Sequence, residues 1–396
     1  MSSPNPNTAD TSAVQAPPAN NRRGILLRLL MALLVLAAIA WTIWYFIVGR
    51  WYESTDDAYI NGNIVQITPR IAGTVTSIGA DDGDLVKQGQ VLVTLDKSDS
   101  DVGLQRASAN LANTVRRVRG LYSTVSGAQA QVAVEKVALQ KAQADYDRRR
   151  DLAKTGAISA EELAHARDAL TAALSALTTS QQQLATNQVL VDDTVVASHP
   201  DVKAAAAQYR AAYLDDVRTV MVAPVTGYVA KRTVQVGQRV QPGAALMAVV
   251  PLHEVWVDAN FKETQLTHMR IGQPVEITSD VYGGSVKYKG TVESLGVGTG
   301  SAFSLLPAQN ATGNWIKIVQ RIPVRVVFAD PSQLDQHPLR IGMSLDTEVN
   351  LHDQNGPTLA QSARSEPRFS TDVYQNQLAA ANAQIEQIIH ANMGGR

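Results

Sequence analysis

The sequence predicts an α+β multidomain chain, with an N-terminal transmembrane helix, a β-sandwich split by a long antiparallel α-helical coiled-coil hairpin, and a small β-barrel. Three observations predict it. Residues 25–48 are apolar and carry no charge from Leu29 to Val48. A three-glycine register occurs twice, far apart in the chain. Between the two copies, apolar residues recur at every seventh position along two arms.

The uncharged run is about 20 residues, a helix of roughly 30 Å, which matches the hydrocarbon thickness of a bilayer. Arg22, Arg23 and Arg28 precede it, whereas Arg50 is followed by Glu53, Asp56 and Asp57. The positive-inside rule therefore puts residues 1–24 in the cytoplasm and the chain beyond 48 on the other side. Trp41, Trp44, Tyr45, Trp51 and Tyr52 gather at the far end, where amphipathic rings suit a headgroup layer. Ala38-Ile39-Ala40 has the small residues of a signal-peptide cleavage site, but the apolar run continues to Val48, longer than a signal core, which favours a retained anchor. Residues 1–24, rich in Ser, Pro, Asn and Ala, read as disordered.

Residues 49–64 read as a linker and a strand; the strand-like stretch from Tyr59 to Ile67 is expected to return to the barrel. Residues 65–97 then hold the first glycine register, Gly73, Gly83 and Gly89, and residues 219–252 hold the second, Gly227, Gly237 and Gly243. In each copy ten positions separate the first two glycines, and a valine (Val86, Val240) stands midway between the second and third. Short β-branched runs broken by glycine read as short strands with these glycines at positive-φ turns. Neither half can bury an apolar face alone, so the two are expected to pack together as one β-sandwich. The Gly83-Asp84-Leu85-Val86-Lys87-Gln88-Gly89 turn resembles those of lipoyl or biotinyl carrier domains, which makes the sandwich lipoyl-like.

The insert, residues 98–218, is rich in Ala, Gln, Leu and Val. Leu104, Leu111, Val118, Val125, Val132, Leu139 and Tyr146 form one heptad series; Leu163, Leu170, Leu177, Leu184 and Val191 form another. That is the apolar seam of two helices packed side by side. Gly156 is placed to end the first helix, and Ser159 with Glu162 three residues on forms a capping box for the second. At 1.5 Å per residue, arms of about 55 residues give a rod of roughly 80 Å, shorter if the second arm breaks at His199-Pro200.

Residues 253–352 alternate as a small β-barrel, with strands expected at Val255–Val257, Val275–Ile277, Trp315–Val319 and Ile322–Val327, and a short helix, Phe261–Leu266, covering one end. Residues 353–396 read as a linker and a helix between Thr371 and Asn392 whose purpose the sequence does not disclose.

Composition narrows the function. Lys plus Arg (35) nearly cancels Asp plus Glu (36), and no basic-aromatic stripe exists, so nucleic acid is not an expected partner. With no cysteine, thiol catalysis and Cys-ligated zinc are excluded. Glu161 and His165 lie one helical turn apart without an HExxH pattern and read as a surface pair. Gly296-Val297-Gly298-Thr299-Gly300 departs from the G-x-G-x-x-G register and reads as a barrel loop. No catalytic residue, metal site or cofactor is expected.

The order of anchor, half sandwich, hairpin, half sandwich and barrel resembles the membrane fusion proteins, or periplasmic adaptors, of the HlyD-like family, across about residues 20–352. Within it, Asn260-Phe261-Lys262-Glu263-Thr264-Gln265, Arg270-Ile271-Gly272-Gln273-Pro274-Val275 and the string from Gly300 through Pro307 to Asn314-Trp315 resemble the EmrA-type multidrug adaptors. The resemblance implies an inner-membrane, single-pass, non-enzymatic subunit with its bulk in the periplasm. It also implies a homo-oligomer that joins a major-facilitator-type drug transporter to an outer-membrane channel of TolC type. Arg148, Leu152 and Ser159 match the R-x3-L-x6-S spacing that in such adaptors marks the channel-docking tip. Read from the residues alone, Arg148 is a solvated charge, Leu152 closes the coiled-coil seam and Ser159 is a helix cap. Two other readings stand beside this one: an adaptor for type I polypeptide secretion beside an ATP-driven transporter, and a carrier-enzyme component modified on Lys97, which here sits where the hairpin begins.

Overall fold

The computed structural model describes residues 21–191, 194–300, 302–303 and 318–394. Several expectations fall outside these residues: most of the disordered segment (1–20), the Ser301, Ser304–Pro307 and Asn314–Trp315 portions of the glycine-led string, and Trp315–Lys317 of one strand. In chain order the elements are α1 (Asn21–Ile47), β1 (Tyr52–Asn61), β2 (Val65–Ile67), β3 (Gly73–Ile78), β4 (Leu85–Val86) and β5 (Val91–Leu95). The helices α2 (Ser98–Lys154), α3 (Ala160–Val189) and α4 (Pro200–Val217) follow. Next come β6 (Val220–Val222), β7 (Gly227–Ala230), β8 (Arg239–Val240), β9 (Met247–Val250), β10 (Trp256–Lys262), β11 (Pro274–Thr278), β12 (Lys287–Leu295) and β13 (Arg321–Phe328). A single turn α5 (Gln333–Gln336), strand β14 (Ser344–Asn350) and α6 (Ala379–Met393) complete the chain. Two compact units result: Met1–Gly62 with Leu252–Ser365, and Asn63–Pro251 with Glu366–Arg396.

The first unit contains the apolar helix and the barrel. Helix α1 starts at Asn21, so the last residues of the segment expected to be disordered are already helical; arginine is a good helix former and nothing after Asn21 interrupts the run. Its large apolar side chains are about half exposed or more, as a helix facing lipid requires. The barrel is closed, in the order β1-β10-β13-β12-β11-β14. Alternation fills it: in β14, Leu345, Thr347 and Val349 point inward and their neighbours outward. Tyr288 and Phe261 are among its largest fully buried side chains, and the Tyr288 hydroxyl donates to the His337 carbonyl at 2.9 Å. Phe261 is therefore an inward-facing residue of β10 and not part of a covering helix; only Glu263–His268 forms a turn of 3-10 helix. Ile318 and Val319 are likewise outside any strand, because the β10–β13 ladder begins only where Lys262 faces Arg321.

The stretch from Tyr59 to Ile67 is not one barrel strand. It divides at Gly62, whose amide donates to the Asn61 side chain at 2.8 Å and whose Cβ would lie 3.0 Å from Ile341. Before the turn the chain belongs to the barrel; after it, β2 belongs to the sandwich.

The second unit contains a sandwich of two four-stranded sheets, β2-β9-β7-β4 and β6-β5-β3-β8. Exchanging the two sequence copies converts one order into the other. The copies thus do not pack face to face as separate halves; each sheet takes two strands from each. Four of the register glycines hold this exchange together. Gly83, Gly89, Gly237 and Gly243 have φ between 81° and 91°, the left-handed region that glycine enters without penalty. Gly83 donates its amide to Val229 and Gly237 donates to Val75, the equivalent carbonyl in the other copy; Gly89 to Ala223 and Gly243 to Pro69 form a second such pair.

Gly73 and Gly227 answer a different demand, since neither adopts a positive φ. A Cβ on Gly227 would sit 2.5 Å from the Val250 carbonyl oxygen, against backbone that cannot yield, whereas one on Gly73 would meet the Leu95 side chain at 3.1 Å. Gly227→Ala is accordingly expected to destabilise the sandwich by about 1–3 kcal/mol or more. Gly73→Ala is expected to cost less, because the leucine can rotate. Hydrogen exchange at the amides of β7 and β9 checks the order; equal effects would show that backbone approach is not what selects glycine at 227.

From the sandwich extends the hairpin. Helix α2, 57 residues, spans about 85 Å. The returning arm is broken: α3 ends at Val189, a short 3-10 turn covers Val196–Ser198, and α4 starts at Pro200. His199 joins the pieces. Its Nδ1 accepts from the Asp201 amide at 3.2 Å, its Nε2 lies 3.1 Å from the Leu190 carbonyl, and Pro200 occupies the first helical turn, where its missing N–H costs nothing. On both arms the heptad residues are half-buried or buried.

At the base of the hairpin the pair becomes a three-helix bundle. Ala381, Ile385 and Ile389 of α6, spaced four apart on one face, are buried; both isoleucines join a cluster with Leu111, Val115, Val118, Val202 and Tyr209. The Tyr209 hydroxyl donates to Gln384 at 2.6 Å, and Arg210 donates to Asn382 at 2.8 Å. The segment leading into α6 is pinned to the sandwich, where Thr371 donates to the Pro224 carbonyl at 2.8 Å and Arg70 lies 4.4 Å over the Tyr374 ring.

Candidate functional site at the hairpin tip

Five residues separate α2 from α3, and local chemistry specifies their path. Gly156 adopts φ +76°, its amide donates to the Ala153 carbonyl, and the Ala157 amide donates to the Leu152 carbonyl, which together form a Schellman termination of α2. The Thr155 hydroxyl adds a bond to the same Leu152 carbonyl at 2.7 Å. Two residues on, Ser159 begins α3: its hydroxyl oxygen accepts from the Glu162 amide at 3.2 Å while its own amide donates to the Glu162 carboxylate at 3.1 Å. Both chain ends of the turn are thus satisfied internally, which leaves the tip a rigid surface feature.

Leu152 does not close the seam. The series continues from Tyr146 through Arg149 to Ala153, all partly buried, and leaves Leu152 42% exposed one position off it. Arg148 lies one helical turn earlier on the same face, with a side chain 70% exposed. It pairs with Asp145, which also takes Arg149 at 2.9 Å. Arg150 pairs with Asp147 at 3.2 Å, and Lys154 with Asp151 at 2.9 Å. The Lys154 bond holds the Asp151 carboxyl below its usual value. Exposed pairs of this kind contribute little stability, so Arg148 can exchange its partner at small cost. Arg148 and Leu152 therefore share one exposed face, and Ser159 sits across the turn with its acceptor engaged in the cap.

This separates capping from contact at Ser159. Ser159→Ala is expected to cost about 0.5–2 kcal/mol in the first turn of α3, whereas Ser159→Asn keeps a competent cap. Hydrogen exchange at residues 160–163 should rise in the alanine variant and stay unchanged in the asparagine variant.

The α6 contact is the feature that sequence reasoning missed. Ile385, Ile388 and Ile389 have helical spacing and could have signalled a docked helix, but nothing along the chain names the partner face. Glu161 and His165 stand 3.7 Å apart and are both well exposed, as a surface pair should be.

An apolar helix long enough to cross a membrane, a sandwich split by a long helical hairpin and a closed barrel are the parts, in order, of the class of membrane fusion proteins. A family model described as the EMRA alpha-helical hairpin domain matches residues 98–219, and one described as the AAEA-like beta-barrel domain matches residues 254–349. The chain is 49% identical over 357 residues to the multidrug export protein EmrA of Escherichia coli K12, covering 90% of this chain and 91% of that protein. It is 43% identical over 366 residues to EmrA of Haemophilus influenzae, covering 92% and 94%. It is also 48% identical over 320 residues to the fatty acid resistance protein FarA of Neisseria gonorrhoeae, covering 80% and 81%. A solved structure of the periplasmic adaptor protein EmrA aligns with 76% of this chain and 99% of its own, at 18% identity and a TM-score of 0.38. The chain belongs to the EmrA family of membrane fusion proteins.

Proposed function

We propose that this protein is the adaptor subunit of a tripartite multidrug exporter, held in the inner membrane by α1 with its bulk in the periplasm. It links a major-facilitator-type drug transporter to an outer-membrane channel of TolC type, works as a homo-oligomer, and contributes geometry rather than catalysis or a cofactor. Family membership supports the export role, and the names of the E. coli and H. influenzae relatives support multidrug export as its purpose. The docking surface is Arg148, Leu152 and Ser159. Gly83, Gly89, Gly237 and Gly243 act as turn glycines of the sandwich, with Gly73 and Gly227 providing close approach.

One observation carries the docking assignment: Leu152 is exposed beside the partly buried seam residues Tyr146, Arg149 and Ala153, next to a turn whose backbone makes its own capping bonds. A large apolar residue held outward on a rigid tip is suited to burial in a partner, with Arg148 supplying charge-assisted hydrogen bonds beside it. Photocrosslinking in cells from position 152, with the exposed position 137 midway along α2 as control, tests it. Capture of an outer-membrane channel from 152 alone is the expected result. Capture from neither position, or of cytoplasmic proteins, would sink the proposal.

A further inference from the structure

Strand β2 is an edge strand of one sheet of the sandwich and β6 is an edge strand of the other. Ile67 on β2 and Met221 on β6 each stand six residues before the first glycine of their copy, Gly73 and Gly227, so the strand exchange brings equivalent positions to the two lips of one cleft. The segment that leads into α6 supplies a third side through Tyr374 and Gln377. The cavity measures about 260 Å³, which at about 30 Å³ per water-sized group holds roughly nine heavy atoms.

Its walls divide by chemistry. Val220, Met221, Val222 and Pro224 give an apolar side from the second copy. Three residues before the register glycine, where that copy has Pro224, the first copy has Arg70. Arg218, at the C-terminus of α4, adds a second guanidinium, and among the described residues the lining contains no acid. Neither arginine is spent within the protein. The partner of Arg70 among the described residues is the ring of Tyr374, 4.4 Å from the guanidinium carbon, and a ring against the face of a guanidinium leaves its in-plane N–H donors free. Arg218 makes a loose pair with Asp215 at 3.6 Å, and its buried Nε has no acceptor among the described residues. A cation at a helix C-terminus is favourable in itself, but that does not account for a buried donor left without an acceptor. An enclosed apolar wall with a few convergent polar groups is the form of a small-molecule site, and two arginines without an acid fix the sign of its ligand.

We propose that this cleft binds a small amphipathic anion, with a carboxylate held by Arg70 and Arg218 and an apolar body lying against the wall that ends at Pro224. Bound there, the ligand touches both the sandwich and Tyr374, and so joins the sandwich to the segment that carries α6. The site is separate from the hairpin tip and does not depend on the docking assignment. A carboxylate of this kind has two sources, a single-chain lipid or a compact aromatic acid, and the probes below distinguish them.

Equilibrium dialysis on the full-length protein in nanodiscs, with empty nanodiscs as background, measures binding of octanoate and of naphthoate; octanol and acetate control for tail and charge alone. The expected result is a saturable site for at least one of the two anions, with octanol and acetate each about tenfold weaker or more. Arg70→Gln and Arg218→Gln should each weaken binding about tenfold or more, because each removes hydrogen bonds to a charged group. Arg70→Lys, which keeps the charge and the ring contact, should lose less. Hydrogen exchange at residues 371–378 should slow when the anion binds. Tighter octanoate makes the occupant a lipid-derived chain, and tighter naphthoate makes it an aromatic acid; either sustains the site. Where Arg70→Gln by itself loosens residues 371–378, Arg218→Gln decides. Absence of saturable binding, octanol bound as tightly as octanoate, or undiminished affinity in Arg218→Gln would overturn the proposal.

Discussion

Leu152→Asp is expected to abolish export while leaving the hairpin folded. In the free protein the side chain is 42% exposed and off the seam, so the substitution disturbs no core. Its local costs are the lower helix propensity of aspartate, under about 0.7 kcal/mol, and the new negative charge near the C-terminus of α2, about 0.3–1 kcal/mol. The Schellman turn uses only the backbone of residue 152 and survives the change. In a docked tip, by contrast, a carboxylate takes the place of a buried leucine; the apolar contact is lost, and the carboxylate must be desolvated even where Arg148, one turn earlier, pairs with it, which costs several kcal/mol. Each 1.4 kcal/mol is tenfold in affinity, so docking should weaken about a hundredfold or more. Drug tolerance of cells checks the first half of the expectation, and the hydrogen-exchange pattern of α2 and α3 the second. Leu152→Met, which keeps the apolar contact, should behave as the parent. Normal tolerance in the aspartate variant would remove Leu152 from the docking surface.

The second large effect lies at the other end of the hairpin. Ile385→Asp with Ile389→Asp should release α6 from the bundle. Both side chains are nearly inaccessible, and burying an isoleucine contributes about 1.5–3 kcal/mol, so the pair supplies about 3–6 kcal/mol of the docking free energy. The surviving polar contacts, Tyr209 to Gln384 and Arg210 to Asn382, contribute about 0.5–1.5 kcal/mol each, and two carboxylates cannot be buried in their place. Released, the helix uncovers Leu111, Val115, Val118, Val202 and Tyr209. Amides in residues 379–393 should lose protection, as should those of α2 and α4 facing them, while α3 is unaffected. Unchanged protection across residues 379–393 would mean that α6 is held by something other than its isoleucine face.

Much of this architecture was legible in the residues. The membrane span, the seam from Leu104 to Tyr146 and the Gly156–Ser159–Glu162 turn are each specified by neighbours within a few positions. The tip was legible as a place but not as a surface: the apolar character of Leu152 suggested that it closes the seam, yet the heptad series continues from Tyr146 through Arg149 to Ala153 and leaves Leu152 outside it. Strands β12 and β14 escaped reading because each buries one face only. Lys287, Lys289, Asp346 and Glu348 interrupt their apolar residues, and no run stands out.

By itself the sequence determined the apolar helix, the hairpin with its turn and the order of the domains, because length, period and capping are properties of contiguous residues. It also specified that the two glycine copies belong together. Only the tertiary structure decided how. Strand exchange between the copies, the division of the chain at Gly62, the clash that selects glycine at 227 and the face that receives α6 all depend on what a distant segment presents at a few ångströms. A strand or a helix face carries its own apolar pattern but not the identity of its partner, and that identity is settled when the alternatives compete for the same buried surface.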